Sequence, residues 1–399
     1  MSTPHARSRV VVIGAGYAGA VAANHLRLRD DVDITVVNPR AEFIERVRLH
    51  QLAAGTADAT LPLAPLLADC IRLVVDRVTR IEAASRVLRL ASGHSLDYDY
   101  AIYAVGSLAP VPPSIPGARE FAVPVADFES ARALRSTLER LPEDAPITVV
   151  GGGLTGIETA AELAGLSRSV TLVCGGRLAP ALGEGSRRYI ARWLRRHDVT
   201  VLEGQKVAAV TADAVSFADG SVRPSAVTIW AAGFAAPQLA AESGLTTDDR
   251  DRLLTDETLT SVDDERIVAT GDAASPSGMP YRMSCQAAGP LGQQAANTVL
   301  SRIAGEQPRP VDLALTGSCV SLGRRAAIRQ FAHKDDSPMR LHATGPLTAA
   351  YKELTSRLGV WKIGVEARKP GSVPWPKGGP RPTGDAACTM PARVDANRT

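Results

Sequence analysis

The segment from Arg9 to Gly19, RVVVIGAGYAG, constrains this chain more than any other. The apolar run at residues 10–13 reads as a strand buried on both faces, and it stops at a glycine cluster, Gly14, Gly16 and Gly19, that opens an apolar helix spanning residues 15–29. Strand, glycine turn and helix in that order make a dinucleotide-binding corner. Gly14 suits the tight turn, Gly16 lets backbone approach a pyrophosphate, and Gly19 lets helix and strand pack closely, while the helix N-terminus faces the phosphate charge. Ala15, Tyr17 and Ala18 complete the turn. One such turn also occurs as plain structure, so its meaning depends on the rest of the chain.

A second strand, residues 33–37, ends at Asn38, where an acid usually accepts the ribose hydroxyls of the dinucleotide. Asn38 accepts a hydrogen bond but has no charge to repel a 2′-phosphate, so this turn does not identify its dinucleotide unaided. Residues 41–55 are irregular in pattern and set Glu45, Arg46, Arg48 and His50 among apolar side chains. These groups read equally as a solvated helix face or as part of a site. Residues 71–75, 78–82 and 86–90 read as an antiparallel meander, with a turn at 92–94. The strand at 100–104 then ends in Ala104, Val105, Gly106 and Ser107 before a proline-rich crossing, APVPPSIPG.

Beyond the crossing come a helix at 127–141 and a strand at 147–150, which runs into GGGLTGIE. Gly151, Gly153 and Gly156 form a second dinucleotide turn enclosing Leu154 and Thr155, with Glu158 on the helix after it. Two turns in the same strand-turn-helix context are far more specific than one. The next strand, residues 169–173, ends at Cys174, followed by two glycines and Arg177. With no carboxylate to repel a 2′-phosphate and an arginine nearby, NADPH is permitted there; Arg177 reads as readily as a solvated side chain. A helix at 183–196, strands at 199–202, 207–210 and 214–217, and a strand at 226–230 closing on Ala232 and Gly233 complete this unit.

A third informative stretch, ERIVATGDAAS, delivers Gly271 and Asp272 at the carboxyl end of a strand, where ligands bind in open α/β sheets. The helix expected at 283–303, with Cys285 and Gln286 near its start, aims its first-turn amides at the same place. The last part reads as strands at 315–322 and 326–331 and a helix at 347–358, and the Pro/Gly-rich sequence from 369 onward as having little regular structure.

The 45 basic and 42 acidic residues are not gathered into a stripe with aromatics, which argues against nucleic acid as a partner. Cys70, Cys174, Cys285, Cys319 and Cys388 are too scattered for a disulfide framework or a zinc site, so no metal and a reducing, cytoplasmic location are expected. The polar N-terminus is no signal peptide, and no apolar run is long enough to span a bilayer.

As an ordered set, the Gly14 turn, Tyr98 to Ser107, the Gly151 turn, Trp230 to Gly233 and Ala269 to Ala273 resemble the pyridine nucleotide-disulfide oxidoreductase superfamily. The resemblance covers the first three quarters of the chain. It implies an α/β fold with two Rossmann-like dinucleotide-binding domains, one for FAD and one for NAD(P)H, the second inserted into the first, plus a C-terminal α+β segment. The implied boundaries are residues 1–118 and 241–308 for FAD, 119–240 for NAD(P)H, 309–368 for the C-terminal domain and 369–399 for the tail. By the same resemblance FAD is held by the first turn (Gly14 to Gly19), Asn38, Arg48, Val78, Ala104, Val105, Gly106, Gly271, Asp272, Cys285 and Gln286. NAD(P)H is held by Gly151, Gly153, Leu154, Thr155, Gly156, Glu158, Cys174, Arg177, Ala232 and Gly233. Asp272 is expected to bond the ribityl chain and Glu158 to sit where nicotinamide meets flavin.

Two departures narrow the branch. Neither a CxxxxC nor a CxxC pair is present, which argues against a thiol relay, and residues 43–55 together with 318–325 resemble the type II NADH dehydrogenase and apoptosis-inducing-factor-like branch. Of the two late-helix glutamines typical of the quinone-reducing members, Gln286 is present and Pro290 replaces the other. The segment at 351–360 is too short to be their amphipathic membrane helix and is followed by Pro/Gly-rich sequence, which argues against a quinone at a membrane. The implied function is an FAD-dependent NAD(P)H oxidoreductase passing electrons to a quinone-like or other small acceptor, with Glu158, Arg48, His50 and Gln286 as candidate catalytic residues and Gln51 beside them. A reductase of an iron-sulfur carrier protein and a non-redox NAD(P)H sensor are the alternatives; peripheral membrane contact and homo-oligomers stay open.

Overall fold

The computed structural model describes residues 7–379. The readings made of the first six residues, of Cys388 and of the end of the tail lie outside that range.

Strand Ser8–Ile13 lies inside a five-stranded parallel sheet in the order Ile267–Ala269, Tyr100–Tyr103, Ser8–Ile13, Val32–Asn38, Arg72–Val75. With strands on both sides and helices on its faces, residues 10–13 are at most 3% exposed, which is why the run reads as uniformly apolar. A second parallel sheet repeats the plan in the order Ala122–Pro124, Val227–Trp230, Ile147–Val150, Val170–Cys174, Thr200–Glu203. Each sheet carries an antiparallel meander between its outer and inner strands, Val78–Glu82 with Val87–Leu90 and Ser95–Asp97 in the first, Val207–Val210 with Ala214–Phe217 and Val222–Pro224 in the second. Strand Ile267–Ala269 pairs with Tyr100–Tyr103, so the chain builds the second unit and then returns to finish the first.

The segment expected to open the first meander is instead the parallel edge strand Arg72–Val75, hydrogen-bonded to Val32–Asn38. A short β-branched run suits either setting, so only its partner distinguishes them. The first helix is Tyr17–His25, tightening into a 3-10 turn at Leu26–Leu28 rather than running on to Arg29. The late helix is Cys285–Ile303, starting later than expected because Ser284 caps it, its hydroxyl accepting from the Ala287 amide. The two helices pack so closely that a Cβ on Gly292 would lie 2.3 Å from the Ala18 carbonyl oxygen.

The C-terminal sheet, Gly317–Leu322, Ala326–Ala332 and Pro338–Gly345, is antiparallel and leads into helix Pro346–Arg368. That helix has 23 residues, about twice the length expected from the sequence. It is tied to the first unit by Glu366, which is fully buried and accepts from His25 Nδ1 at 2.5 Å, the Gly371 amide at 2.6 Å and Gln293 Nε2 at 3.3 Å. Beyond it, residues 372–379 hold no helix or strand and lie along residues 312–314, the Trp375 indole donating to the Asp312 carbonyl.

Candidate active site

Both glycine turns divide their labour in the same way. At Gly14 φ is +101°, and a Cβ would sit 2.5 Å from the Ala104 carbonyl oxygen; at Gly19 it would sit 1.9 Å from the Gly14 carbonyl oxygen. Nothing lies within 4 Å of a Cβ on Gly16. In the second turn Gly151 has φ +136° and abuts Ala231, Gly156 abuts the Gly151 carbonyl oxygen at 1.9 Å, and Gly153 again faces open space. The outer glycines thus let the backbone close on itself. The middle ones open a cradle of backbone amides at a helix N-terminus, the arrangement that holds a pyrophosphate.

Around the first turn, Asn38 ties the corner down: its Oδ1 accepts from the Ala15 amide at 3.0 Å and its Nδ2 donates to the Arg40 carbonyl at 2.7 Å. Asp272, delivered by strand Ile267–Ala269, has both carboxylate oxygens engaged, accepting from the Ser107 hydroxyl at 2.7 Å and from the Ser284 amide at 3.1 Å. Arg46 donates to Ser107 Oγ at 3.0 Å and so joins this corner to residues 41–55. Ala104, Val105 and Gly106 run past the same turn, and Val78 is a buried residue at the start of its meander strand. The Tyr17 hydroxyl, Thr270 Oγ1 and His50 Nε2 are buried without a hydrogen-bond partner among the described residues. Open glycine cradles and orphaned polar atoms fit an extended dinucleotide such as FAD.

Residues 41–55 are neither irregular nor a solvated face. They form strand Glu42–Ile44, a 3-10 turn at Arg46–Arg48 and helix Leu49–Ala54, whose Leu49, Leu52 and Ala53 are buried in the core of the second unit. Glu45, Arg48, His50 and Gln51 are all buried in consequence. This segment is therefore a bridge between the two units, and it brings His50 Nδ1 to 4.0 Å from Glu158 Oε2.

Glu158 is the point where three parts of the chain meet. Its Oε1 accepts from the Ser321 amide of the C-terminal sheet at 2.9 Å and also contacts the Lys352 ammonium of helix Pro346–Arg368. Burial pushes Lys352 down to about 7; the neighbouring Arg48 charge adds to this and Glu353 opposes it. Burial, together with the positive charges of Lys352, Arg324 and Arg48, holds His50 well below the ordinary imidazole value, so its ring is neutral. Arg48 is clamped by a two-pronged pairing with Glu353 at 2.9 and 3.0 Å, by Glu45 at 3.2 Å and by Gln51 at 3.2 Å. A cavity of about 480 Å³ adjoins the group, walled by Arg48, Gln51, Arg324, Lys352 and Glu353.

The candidate residues thus divide. Glu158, Arg48 and His50 come together, with Gln51 on the cavity wall; Gln286 is held elsewhere, hydrogen-bonded to Thr316 Oγ1 at 2.6 Å, next to Cys285 at the start of the late helix. Lys352 and Glu353 carry no signal for the site in the sequence. Glu158 and Lys352 are 194 residues apart, and no spacing rule links them. In the second unit Leu154, Thr155 and Gly156 begin the helix after the glycine turn, and Cys174, Arg177, Ala232 and Gly233 surround it.

Helix Pro346–Arg368 also corrects the reading of residues 351–360. Leu347, Tyr351, Leu354, Leu358 and Trp361 are all exposed, by 37% to 86%. At 3.6 residues per turn they fall within an arc of about 80°. The helix thus has an apolar outer stripe as well as a buried inner face. No helix among the described residues is long and apolar enough to cross a membrane.

Residues 8–292 match the family described as pyridine nucleotide-disulphide oxidoreductase. An NADH dehydrogenase-like protein of Mycobacterium tuberculosis is 31% identical over 324 residues, covering 74% of this chain and 80% of the relative. A type II NADH:quinone oxidoreductase of Staphylococcus haemolyticus is 26% identical, covering 90% of this chain and 96% of the relative. Among solved structures, the sulfide:quinone oxidoreductase of Aquifex aeolicus superposes with a TM-score of 0.77 at 20% identity, covering 91% of this chain and 93% of that one.

Proposed function

The chain belongs to the pyridine nucleotide-disulphide oxidoreductase family, and from that premise we propose how its residues divide the work and which acceptor it serves. It is an FAD-dependent NAD(P)H oxidoreductase of the NADH dehydrogenase-like kind. When bound, FAD supplies the chemistry of taking a hydride from NAD(P)H and releasing electrons to a second acceptor.

The amides of the first glycine turn bind the FAD pyrophosphate, and the Arg46, Ser107 and Asp272 corner positions the rest of that cofactor. The second turn binds NAD(P)H. Glu158 and Lys352 hold a proton between them at the junction of the two units, where an ammonium near neutrality both donates and recovers a proton at little cost. His50 stays neutral beside them, and Arg48, fixed by Glu353, keeps a positive charge on the wall of the cavity.

The acceptor is a quinone-like molecule met at a membrane surface. The observation that carries this reading is the placement of the cavity: Pro346, Ala349, Lys352, Glu353 and Ser356 of its wall belong to the same helix as the exposed apolar stripe. Arg357 and Lys362 flank that stripe, as suits a helix lying at the surface of an anionic bilayer. In this reading the protein meets the membrane at its periphery, held by one helix face. The test is reduction of menaquinone in vesicles with phosphatidylglycerol and in vesicles without it. Turnover tracking vesicle binding supports the reading; equal turnover with a water-soluble quinone and no vesicle binding contradicts it.

A further inference from the structure

The residues that line the second glycine turn present no carboxylate to a ribose 2′-hydroxyl. An NADH site places a carboxylate at the end of the second strand to accept from that hydroxyl. Here the strand ends in Cys174, fully buried against Gly152, where a Cβ on that glycine would lie 2.8 Å from the sulfur. Gly175 and Gly176 come next, and no carboxylate is found among Gly151, Gly152, Gly153, Arg177, Pro180 and Ala232, which line the same pocket. The nearest acid in the adjacent strand, Glu203, is engaged, its carboxylate accepting from the Leu178 amide at 2.5 Å.

The turn that carries Arg177 is fixed on both sides. The Ala179 amide donates to the Gly152 carbonyl at 2.8 Å, and the Gly204 amide donates to the Gly176 carbonyl at 2.8 Å. Arg177 is therefore anchored at the mouth of the glycine turn, yet its side chain is 69% exposed and its ion pair with Glu184 is long, 3.4 Å. Glu184 is shared: Arg187 holds the same oxygen at 2.5 Å, and Arg188 stands 4.0 Å from the other. Three guanidinium groups around one carboxylate leave a positive excess beside the pocket. Arg177, the one of the three that lines it, is weakly committed within the protein.

We propose that this site selects NADPH over NADH, with Arg177 reading the 2′-phosphate and Glu184 orienting Arg177 without cancelling its charge. The inference rests on the reading of the second glycine turn as the NAD(P)H site. A guanidinium matches a phosphate by paired charge-assisted hydrogen bonds, and the uncharged wall of Cys174, Gly175 and Gly176 removes the repulsion that would exclude it.

Calorimetry on the FAD-loaded protein with 2′,5′-ADP and with 5′-AMP isolates the 2′-phosphate from the redox chemistry. The wild type is expected to bind 2′,5′-ADP roughly tenfold or more tightly than 5′-AMP, the size of one hydrogen bond between charged groups. Arg177→Ala should abolish that difference by weakening 2′,5′-ADP binding far more than 5′-AMP binding, and Arg177→Lys should restore part of it. Equal binding of the two nucleotides by the wild type, or an Arg177→Ala variant that keeps the preference, overturns the inference and leaves the NAD(P)H reading standing. Failure of both nucleotides to bind overturns the two together.

Discussion

Glu158 Oε1 and the Lys352 ammonium are in direct contact, which closes the helix after the second glycine turn onto the C-terminal helix. Because burial brings Lys352 to about 7, its protonation changes around neutral pH. Acceptor reduction that draws on this proton is expected to be fast below that value and to fall as pH rises through it. Lys352→Met should flatten the profile. A variant with the same pH break as the wild type would show that Lys352 has no part in proton handling.

The outer and middle glycines of the first turn should separate folding from binding. Gly19→Ala places a Cβ 1.9 Å from the Gly14 carbonyl oxygen and is expected to destabilise the protein by about 1–3 kcal/mol, read by thermal melting. Gly16→Val meets nothing in the protein within 4 Å of its Cβ, so the apoprotein should melt near the wild-type temperature while FAD retention falls. A Gly16→Val protein that keeps its full yellow colour would count against the cradle.

Acid stability should report on Arg48. Its bonds hold the Glu353 carboxylate down to about 2, from an ordinary value of 4.5. A depressed acid stabilises the fold above its unfolded value and loses that contribution as pH falls from about 4.5 toward 2. Glu353→Gln should be less stable than the wild type at neutral pH, and the gap should narrow across that interval. A constant gap in denaturant melts would mean that the pair is not the source.

The exposed stripe should govern membrane contact alone. Leu354→Glu with Trp361→Glu leaves buried Ile363 and Glu366 untouched, so NAD(P)H oxidation with ferricyanide should be unchanged while co-sedimentation with anionic vesicles is lost. Retained sedimentation would show that the stripe does not hold the protein at a bilayer.

How far the sequence is legible depends on the range of the interactions. Each glycine turn was legible because its requirements lie within six residues, from Gly14 to Gly19 or Gly151 to Gly156, and the repetition of the pattern made it specific. Asp272 was legible for the same reason, as a residue at the end of a short buried strand. Lys352 was not, since only the packing of helix Pro346–Arg368 against the other units brings it to Glu158. The length of that helix was hidden by its two apolar faces: Leu354 and Leu358 point to solvent while Ile363 is buried, so no single stripe marked it. The edge strand Arg72–Val75 reads as part of the meander because its parallel partner lies thirty-odd residues upstream, and only the matching place of residues 200–203 in the second sheet marks it as an edge.

The most direct measurement is anaerobic mixing of the purified protein with NADPH or NADH while the oxidised-flavin absorbance is monitored. The purified protein is expected to be yellow, with a band that bleaches rapidly with NADPH, more slowly with NADH, and returns when a quinone is added. A protein that carries no flavin and cannot be reconstituted with FAD, or a flavin that stays oxidised with both nucleotides, would contradict that expectation.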